Sequence, residues 1–186
     1  MIFEEKTIKS ETIYKGKIIN LRRDTVTVKN GTSIREIVEH NGGAVLAAIT
    51  NQGKMVMIKQ FRKPAERVIF EVPAGKIEPG EDPLETGKRE LKEETGYTAN
   101  TLKLLTKMYP TVGYSEEVLY IYLCTGLTLG ATEFDYNEAI DIEEHSIDDL
   151  YKMAMEGQIE DAKTIVAILM VKSLDLEGKL EEYLKQ

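Results

Sequence analysis

Apolar positions recur along this chain at spacings that predict many β-strands, followed by helices in the middle and at the end. Three segments rich in β-branched residues come first, at 7–14, 18–28 and 33–39, and Asn30-Gly31 between the last two is a strong hairpin signal. They predict a three-stranded antiparallel lobe with few apolar residues of its own. Because such a small sheet is marginally stable alone, we expect it to pack on the rest of the chain or on another subunit.

The next segment is a continuous apolar run, AVLAAIT at residues 44–50, which is typical of a buried strand. A turn at residues 51–53 predicts that residues 54–61 form its hairpin partner. The acidic stretch 126–144 has loop composition, with residues 140–142 as a candidate strand. Further strands are predicted from composition at 68–72, 99–109 and 118–123.

Capping signals predict three helices. The first begins near Pro83, which suits a first helical position, and ends at Gly96. Ser146 and Asp161 are the expected N-cap residues of two more, the last of which runs toward Leu184. Strands and helices together predict an α/β fold, with a mixed β-sheet sandwiched between helices.

The first of these helices carries a concentrated set of acidic residues. At about 100° per residue, Glu90, Glu93 and Glu94 lie on one side, next to an apolar side that includes Leu84 and Leu91. Like charges within one helical turn repel each other, and hard divalent cations bind carboxylate oxygens readily. The alternative interpretation is a solvated acidic face that neighbouring lysines and arginines stabilise.

The spacing of the surrounding residues decides between these interpretations. From Gly75 to Tyr97 the order is Gly, five residues, Glu, seven residues, Arg-Glu-aliphatic, one residue, Glu-Glu, one residue, Gly-apolar. This order is the Nudix box, and its fixed residue types would coincide by chance on the order of 1 in 10⁸ per starting position. The chain therefore resembles the Nudix superfamily, which implies hydrolysis of nucleoside diphosphates linked to a further moiety.

Segments outside the box narrow the resemblance to the ADP-ribose pyrophosphatase branch. In that branch an N-terminal strand lobe is exchanged between two subunits and helps to form the nucleoside pocket. The resemblance therefore implies a homodimer, with residues 1–42 as a lobe for dimerisation and nucleoside binding and residues 43–186 as the Nudix hydrolase domain. The segments that carry it are Lys59-Gln60-Phe61-Arg62, residues 70–76, Tyr109-Pro110 to Glu116, and Asp161-Ala162-Lys163-Thr164.

Hydrolysis of a diphosphate implies a divalent cation, which neutralises the phosphate oxygens and lowers the pKa of a bound water. Mg²⁺ is the expected ion, and Mn²⁺ is a possible substitute. Glu90 and Glu94, one turn apart, are the expected ligands, with Glu93 as a third carboxylate. The resemblance adds the backbone carbonyl of Ala74 to this ligand set.

Catalysis also needs a base for the attacking water. In the resembled branch the base comes from an acidic loop after the core strands, and Glu138 aligns best with it. Glu133 and Glu116 are reserves, Glu93 is a further candidate, and a merely solvated acidic loop is the alternative. Arg89 completes the predicted catalytic residues.

Arginines near the box have two different predicted roles. Arg89 is expected to pair with and orient carboxylates, with Glu81 as a candidate partner. Arg62 is the candidate cation for the diphosphate or for the pocket near the base, because a guanidinium matches phosphate oxygens better than an ammonium does. A surface arginine at a strand end is the alternative. Glu71 is expected either to accept a hydrogen bond from the nucleoside or from a dimer partner, or to form a structural salt bridge. The remaining predicted substrate contacts are Gly75 and Glu116.

Composition narrows the classes of partner. The chain has a net charge of −8 and is 42% hydrophobic and 30% charged, which is typical of a globular protein and argues against non-specific binding to nucleic acid or anionic membranes. Neither a signal-peptide pattern nor a long apolar run is present, so we expect the cytoplasm as the compartment. The single cysteine, Cys124, excludes an internal disulfide and is predicted to be a buried strand residue.

The leading functional hypothesis is Mg²⁺-dependent hydrolysis of ADP-ribose to AMP and ribose 5-phosphate. Two residues inserted in the branch's usual Pro-Gly signature, between Pro110 and Gly113, keep open an alternative substrate such as GDP-mannose or another nucleoside diphosphate sugar. A non-catalytic nucleotide-sensing domain is a third hypothesis. The presence of Glu90, Glu93 and Glu94 disfavours it.

Overall fold

The computed structural model describes residues 2–130 and 139–185. These residues form two compact units. The first unit is the chain up to Gly42 together with Tyr109–Val118, and the second is Gly43–Met108 together with the chain from Leu119 onward. The predicted division at residue 42 placed the segment 109–118 in the hydrolase domain, and the separate functions assigned to the two parts stay predictions.

The first unit contains three strands, which are β1 (Thr7–Lys15), β2 (Asn20–Val28) and β3 (Gly31–Glu39). They form an antiparallel sheet in the order β1-β2-β3, so the predicted three-stranded lobe is confirmed. Gly31 opens β3 with φ 117°, a backbone conformation that favours glycine at the predicted hairpin. The segment 109–118 joins this unit through β3, since Val38 N donates to Tyr114 O at 2.8 Å.

The second unit contains seven strands, four α-helices and one short 3-10 helix (Lys63–Ala65) among its described residues. The strands are β4 (Gly43–Ala48), β5 (Lys54–Arg62), β6 (Arg67–Glu71), β7 (Ala74–Lys76), β8 (Tyr97–Met108), β9 (Leu119–Leu129) and β10 (Ile140–Ser146). The helices are α1 (Pro83–Thr95), α2 (Ile147–Met155), α3 (Ala162–Leu176) and α4 (Leu180–Leu184). A mixed sheet has the order β7-β4-β9-β8, with β4 parallel to β9, and an antiparallel sheet has the order β10-β5-β6.

Strand β4 lies at the centre of the hydrophobic core, because its side chains alternate between two helices. Leu46 belongs to the buried cluster that includes Leu91 of α1, whereas Val45 belongs to the cluster that includes Ile168 of α3. Every residue of β4 is buried. The predicted mixed sheet between helices is therefore confirmed.

The predicted hairpin between residues 44–50 and 54–61 is wrong. The turn itself forms, with Thr50 N donating to Lys54 O at 2.8 Å, and a bridge joins Ile49 to Met55. Beyond that bridge, β4 pairs with β7 and β9, and β5 pairs with β6 and β10. The physical reason is that both faces of β4 are apolar, and a strand covered by helices on both faces suits the interior of a mixed sheet.

The capping signals located the starts of α1, α2 and α3 and the end of α1 correctly. Asp82, Ser146 and Asp161 each accept a hydrogen bond from a backbone N–H two or three residues ahead, at 2.8, 3.1 and 3.0 Å. Gly96 ends α1 with φ 73°. The predicted last helix is instead two helices, α3 and α4, because Gly178 between them adopts φ 70°.

Some predictions fall on the part of the chain between the described ranges. Glu138 and Glu133, the predicted base and its reserve, lie outside the described residues. The candidate strand at 140–142 is confirmed as part of β10. Cys124 is a buried free thiol in β9, as predicted, and burial raises its pKa. No helix in residues 2–130 and 139–185 has the length and apolar character needed to cross a membrane.

Candidate active site

Two of the box carboxylates on α1 lie against the first two residues of β7. Glu94 is 4% exposed, and its Oε2 accepts a hydrogen bond from Ala74 N at 2.9 Å. Glu90, one turn earlier, lies against Gly75, where an added Cβ would be 1.8 Å from Cδ of Glu90. Glycine at position 75 is therefore what allows this carboxylate to approach the backbone.

The backbone of the loop that enters β7 is attached to the central strand. Pro73 O accepts a hydrogen bond from Leu46 N at 2.9 Å, and β7 pairs antiparallel with β4. Because β4 is buried between two helices, the loop backbone has a position that the hydrophobic core determines. The predicted ligand Ala74 thus lies on a strand that is paired with the core, beside two carboxylates.

Arg89 contacts three carboxylates of the box. Its Nε and Nη2 donate to the two oxygens of Glu81, both at 3.0 Å, and its Nη1 donates to Glu90 at 2.7 Å and Glu93 at 2.9 Å. The hydrogen bond from Arg89 lowers the pKa of Glu81 to about 2, and the same contact raises the pKa of Arg89. The predicted contact between Arg89 and Glu81 is present, and this arginine offsets part of the repulsion among the glutamates.

The oxygen donors at this site fit a magnesium ion. Within the part of the chain that the structure describes, no three His, Cys, Asp or Glu side chains form a ready-made metal site. Mg²⁺ commonly binds through one or two carboxylates and completes its ligands with waters and substrate phosphates. Glu90 and Glu94 supply two carboxylates beside a backbone loop, so the donor set suits an ion that is completed by a diphosphate.

A second group of charges surrounds Glu71, which is 1% exposed at the end of β6. Arg62 Nε donates to its Oε1 at 2.6 Å, and Lys163 Nζ donates to its Oε2. Burial would lower the pKa of Arg62, but the hydrogen bond to Glu71 and the charges of Glu94 and Asp161 outweigh it and raise this pKa. The structural salt bridge considered for Glu71 is present, and its contact with a nucleoside stays a prediction.

A cavity of about 380 Å³ opens beside this charge group, within the second unit. That volume falls in the range of sites for small molecules. Its lining mixes cations and carboxylates, including Arg62, Arg67, Lys163, Glu71 and Asp161. Such a lining can bind phosphate oxygens and hydroxyl groups together, which matches the chemistry of a sugar phosphate.

Lys163 and Thr164 are two residues near this site that the sequence did not predict. Thr164 is fully buried, and its Oγ1 accepts a hydrogen bond from Val72 N at 2.9 Å. The available signal was the tetrapeptide Asp161-Ala162-Lys163-Thr164, which was used only for the family resemblance. A capping aspartate does not by itself indicate which distant strand its helix contacts.

The last predicted substrate residue lies in the first unit. Glu116 follows Ser115 in the segment 109–118, and its Oε2 lies 3.8 Å from Nη1 of Arg22. Its backbone N donates to Val38 O at 3.1 Å. A contact between Glu116 and substrate stays a prediction.

Comparison with known proteins identifies the class to which this fold and site belong. The family model described as NUDIX domain matches residues 40–167, and the model described as nucleoside diphosphate sugar hydrolase N-terminal domain matches residues 5–38. The first match includes the complete box and the loop at Ala74. This chain belongs to the Nudix family, which confirms the predicted resemblance.

Individual relatives extend this assignment over most of the chain. This chain is 44% identical over 168 residues to an ADP-ribose pyrophosphatase of Bacillus subtilis, covering 89% of this chain and 91% of the relative. It is 43% identical over 170 residues to a methanol dehydrogenase activator of Bacillus methanolicus, covering 90% and 92%. A solved structure titled ADP compounds hydrolase has a TM-score of 0.83 at 20% identity, covering 96% of this chain and 98% of that one, which supports the fold.

Proposed function

We propose that this protein is a Nudix pyrophosphohydrolase that cleaves ADP-ribose to AMP and ribose 5-phosphate. The observation that carries the proposal is the placement of Glu90 and Glu94 against Ala74 and Gly75. The identity of 44% to an ADP-ribose pyrophosphatase supports the choice of substrate. We expect the enzyme to act in the cytoplasm, as its sequence indicates.

Glu90 and Glu94 would hold Mg²⁺ together with the backbone carbonyl of Ala74, and Mn²⁺ is the expected substitute. When bound, the ion supplies neutralisation of the diphosphate and activation of water. Glu93 is the third candidate carboxylate. Arg89 holds Glu93 and Glu90 through one nitrogen, so we assign it the role of orienting these side chains.

Arg62 is the proposed cation for the diphosphate. Its Nε is bound to Glu71, and its side chain is 40% exposed beside the mixed-charge cavity. A guanidinium held at one edge by a buried carboxylate is oriented in advance, so less conformational entropy is lost when it binds phosphate oxygens. Lys163, bound to the same carboxylate, adds a second positive charge at this place.

Glu138 is the proposed base that takes a proton from the attacking water, and Glu93 is the alternative. A glutamate that acts as base lowers the rate when it is changed to glutamine, without a comparable loss of metal affinity. Comparing Glu138→Gln with Glu93→Gln in both measurements assigns the role. An unchanged rate in Glu138→Gln would transfer the role to Glu93.

The proposed active form is a homodimer that forms through the first unit. All residues of β1 are exposed, and the apolar residues Ile8, Tyr14 and Ile34 of its sheet are each more than half exposed. Exposed apolar residues in a small sheet indicate a surface that another protein covers. Light scattering after gel filtration tests this proposal. A well-folded and fully active monomer would contradict it.

A substrate panel tests the central proposal. Release of phosphomonoester is measured for ADP-ribose, GDP-mannose and other nucleoside diphosphate sugars at equal Mg²⁺ concentration. The expected result is the highest kcat/KM with ADP-ribose. A higher value for GDP-mannose would replace the proposed substrate while leaving the pyrophosphohydrolase class in place.

A second candidate role is activation of a methanol dehydrogenase, which the 43% identity to such an activator favours. Turnover of a methanol dehydrogenase is compared with and without this protein. The variant Glu94→Gln then shows whether any stimulation needs hydrolysis. Equal turnover with and without the protein removes this role.

A further inference from the structure

The first turn of α3 holds a backbone amide that the strands leave without a partner. The pairing of β6 with β5 ends at Glu71, and the next residue, Val72, is fully buried. Its N–H donates to Thr164 Oγ1 at 2.9 Å, across 92 positions of sequence. A buried backbone N–H without a partner is costly, so this side chain supplies what the sheet does not.

The hydroxyl of Thr164 has a defined orientation. It donates its own proton to Asp161 Oδ2 at 2.6 Å, and the same oxygen accepts the backbone N–H of Thr164 at 3.0 Å. The lone pairs of the hydroxyl oxygen are therefore left for the amide of Val72. Three groups form one chain of hydrogen bonds, from the Val72 amide through the Thr164 hydroxyl to the helix-capping carboxylate of Asp161.

Lys163 attaches the same helical turn to the preceding residue of the strand. Its ammonium group donates to Glu71 Oε2 and to Asp161 Oδ2, the latter at 2.9 Å. The α3 N-terminus thus contacts the side chain of Glu71 and the backbone of Val72. Asp161 is common to both contacts.

The segment held in this way leads directly into the candidate active site. Val72 is followed by Pro73 and then by Ala74 and Gly75, which contact Glu94 and Glu90. Val72 thus lies two residues before Ala74 and three before Gly75, at the start of the segment that lies beside the carboxylates. Small displacements of catalytic groups reduce rates by one or two orders of magnitude, roughly tenfold to a hundredfold.

We propose that Thr164 is a positioning residue, which sets the distance between the Ala74–Gly75 loop and the carboxylates of α1 by holding Val72. Thr164 acts through this backbone and contacts no substrate. The expected loss of kcat when Thr164 is changed rests on the proposed function. The expected change in the protection of the Val72 backbone does not rest on it.

The first test uses hydrogen exchange in the substrate-free and metal-free protein. Thr164→Val replaces the hydroxyl by a methyl group of similar size and is expected to speed exchange at residues 71–75 by about tenfold, whereas Thr164→Ser keeps the hydroxyl and is expected to preserve protection. Val171→Ala is the matched control, because Val171 is buried in the same helix without contacting this segment through a hydrogen bond. It is expected to lower Tm without specific exposure of residues 71–75.

The second test measures metal binding and turnover in the same variants. Thr164→Val is expected to weaken Mn²⁺ binding to the substrate-free protein and to lower kcat by roughly tenfold or more, with KM for ADP-ribose changed by less than about twofold. Thr164→Ser is expected to keep both Mn²⁺ binding and kcat near the wild-type values. Unchanged exchange at Val72 in Thr164→Val would overturn the inference, as would an equal kcat loss in Val171→Ala at equal loss of Tm. If the wild-type protein does not cleave ADP-ribose, the proposed function fails, while exchange and Mn²⁺ binding still decide the inference.

Discussion

The second unit contains two groups of buried or half-buried carboxylates that obtain their positive partners in different ways. On α1, Arg89 lies within the same helix as Glu90 and Glu93 and contacts both. At the end of β6, Glu71 receives Arg62 from the neighbouring strand and a lysine from α3. The first group is thus assembled from one local segment, and the second only when distant segments fold together.

This difference changes the argument for a metal at the box. Repulsion between carboxylates on one turn suggested a cation, but Arg89 already offsets part of that repulsion. The stronger argument is the geometry of the loop, because Gly75 admits the carboxylate of Glu90 and Ala74 N binds Glu94. Both carboxylates are therefore held beside the backbone of β7, one of them by a hydrogen bond from Ala74 N.

The largest expected effect comes from the box group. Glu94→Gln removes a charge from the proposed ligand set and is expected to lower kcat by about 10³-fold, since a metal ion contributes several kcal/mol of transition-state stabilisation. Steady-state kinetics and a circular dichroism melt measure activity and fold. Glu85→Gln is the control, because Glu85 pairs with Lys88 on the exposed side of the same helix. Near-normal activity of Glu94→Gln would overturn the metal assignment.

A smaller effect is expected when the loop rather than the helix is changed. Gly75→Ala places a Cβ 1.8 Å from Cδ of Glu90, so the carboxylate or the loop must move, and kcat is expected to fall by about 10²-fold. Titration with Mn²⁺ should show weaker binding. Gly130→Ala is the control, because its added Cβ meets nothing nearer than 3.4 Å. Equal metal binding in the two variants would contradict the proposed contact.

The second charge group is tested by removing one of its two cations. Lys163→Met leaves buried Glu71 with Arg62 alone and is expected to destabilise the fold by about 2 kcal/mol, less than the loss of every partner would cost. Denaturant unfolding measures the change. Lys172→Met, which breaks pairs with exposed Asp148 and Asp175, is expected to leave stability nearly unchanged. A similar loss in both variants would show that the burial of Glu71 is not what matters.

The smallest effect is expected on the free energy of unfolding at acidic pH. The folded pKa of Glu81 is about 2, below its usual value of 4.5, because Arg89 donates to it. This contribution is present above pH 4.5, falls as the pH decreases from 4.5 toward 2, and amounts to about 1 kcal/mol for a partly exposed pair. Urea unfolding between pH 6 and pH 3 is compared for the wild type and Glu81→Gln. If both lose stability equally over this range, Glu81 does not contribute as stated.

The predicted parts of the fold are those that depend on short-range chemistry. Ser146 and Asp161 cap helices where the sequence placed them, α1 begins at the predicted Pro83, and Asn30-Gly31 connects two strands. The predicted hairpin after β4 failed because a turn specifies only the residues near it. The neighbours of a long apolar strand depend on which faces the whole chain can cover.

The candidate site likewise has residues whose placement the sequence predicts and residues whose placement depends on distant contacts. The spacing of the box was enough to place Glu90 and Glu94 one turn apart, because helical geometry depends only on separation along the chain. The role of Thr164 was not predictable, since its partner Val72 lies 92 positions away and a threonine after a capping aspartate occurs in many helices. A salt bridge at Glu71 was one of the predicted roles of this residue, but its partner Lys163 was not predicted.

The sequence by itself determined the Nudix box, the hairpin at Asn30-Gly31 and the starts of α1, α2 and α3, since each depends on residues within a few positions of one another. Tertiary structure alone decided that β4 lies between α1 and α3, that Gly75 admits Glu90, and that Thr164 holds Val72. The physical reason is that burial and hydrogen bonding between distant segments depend on the packing of the whole core, which local spacing does not specify.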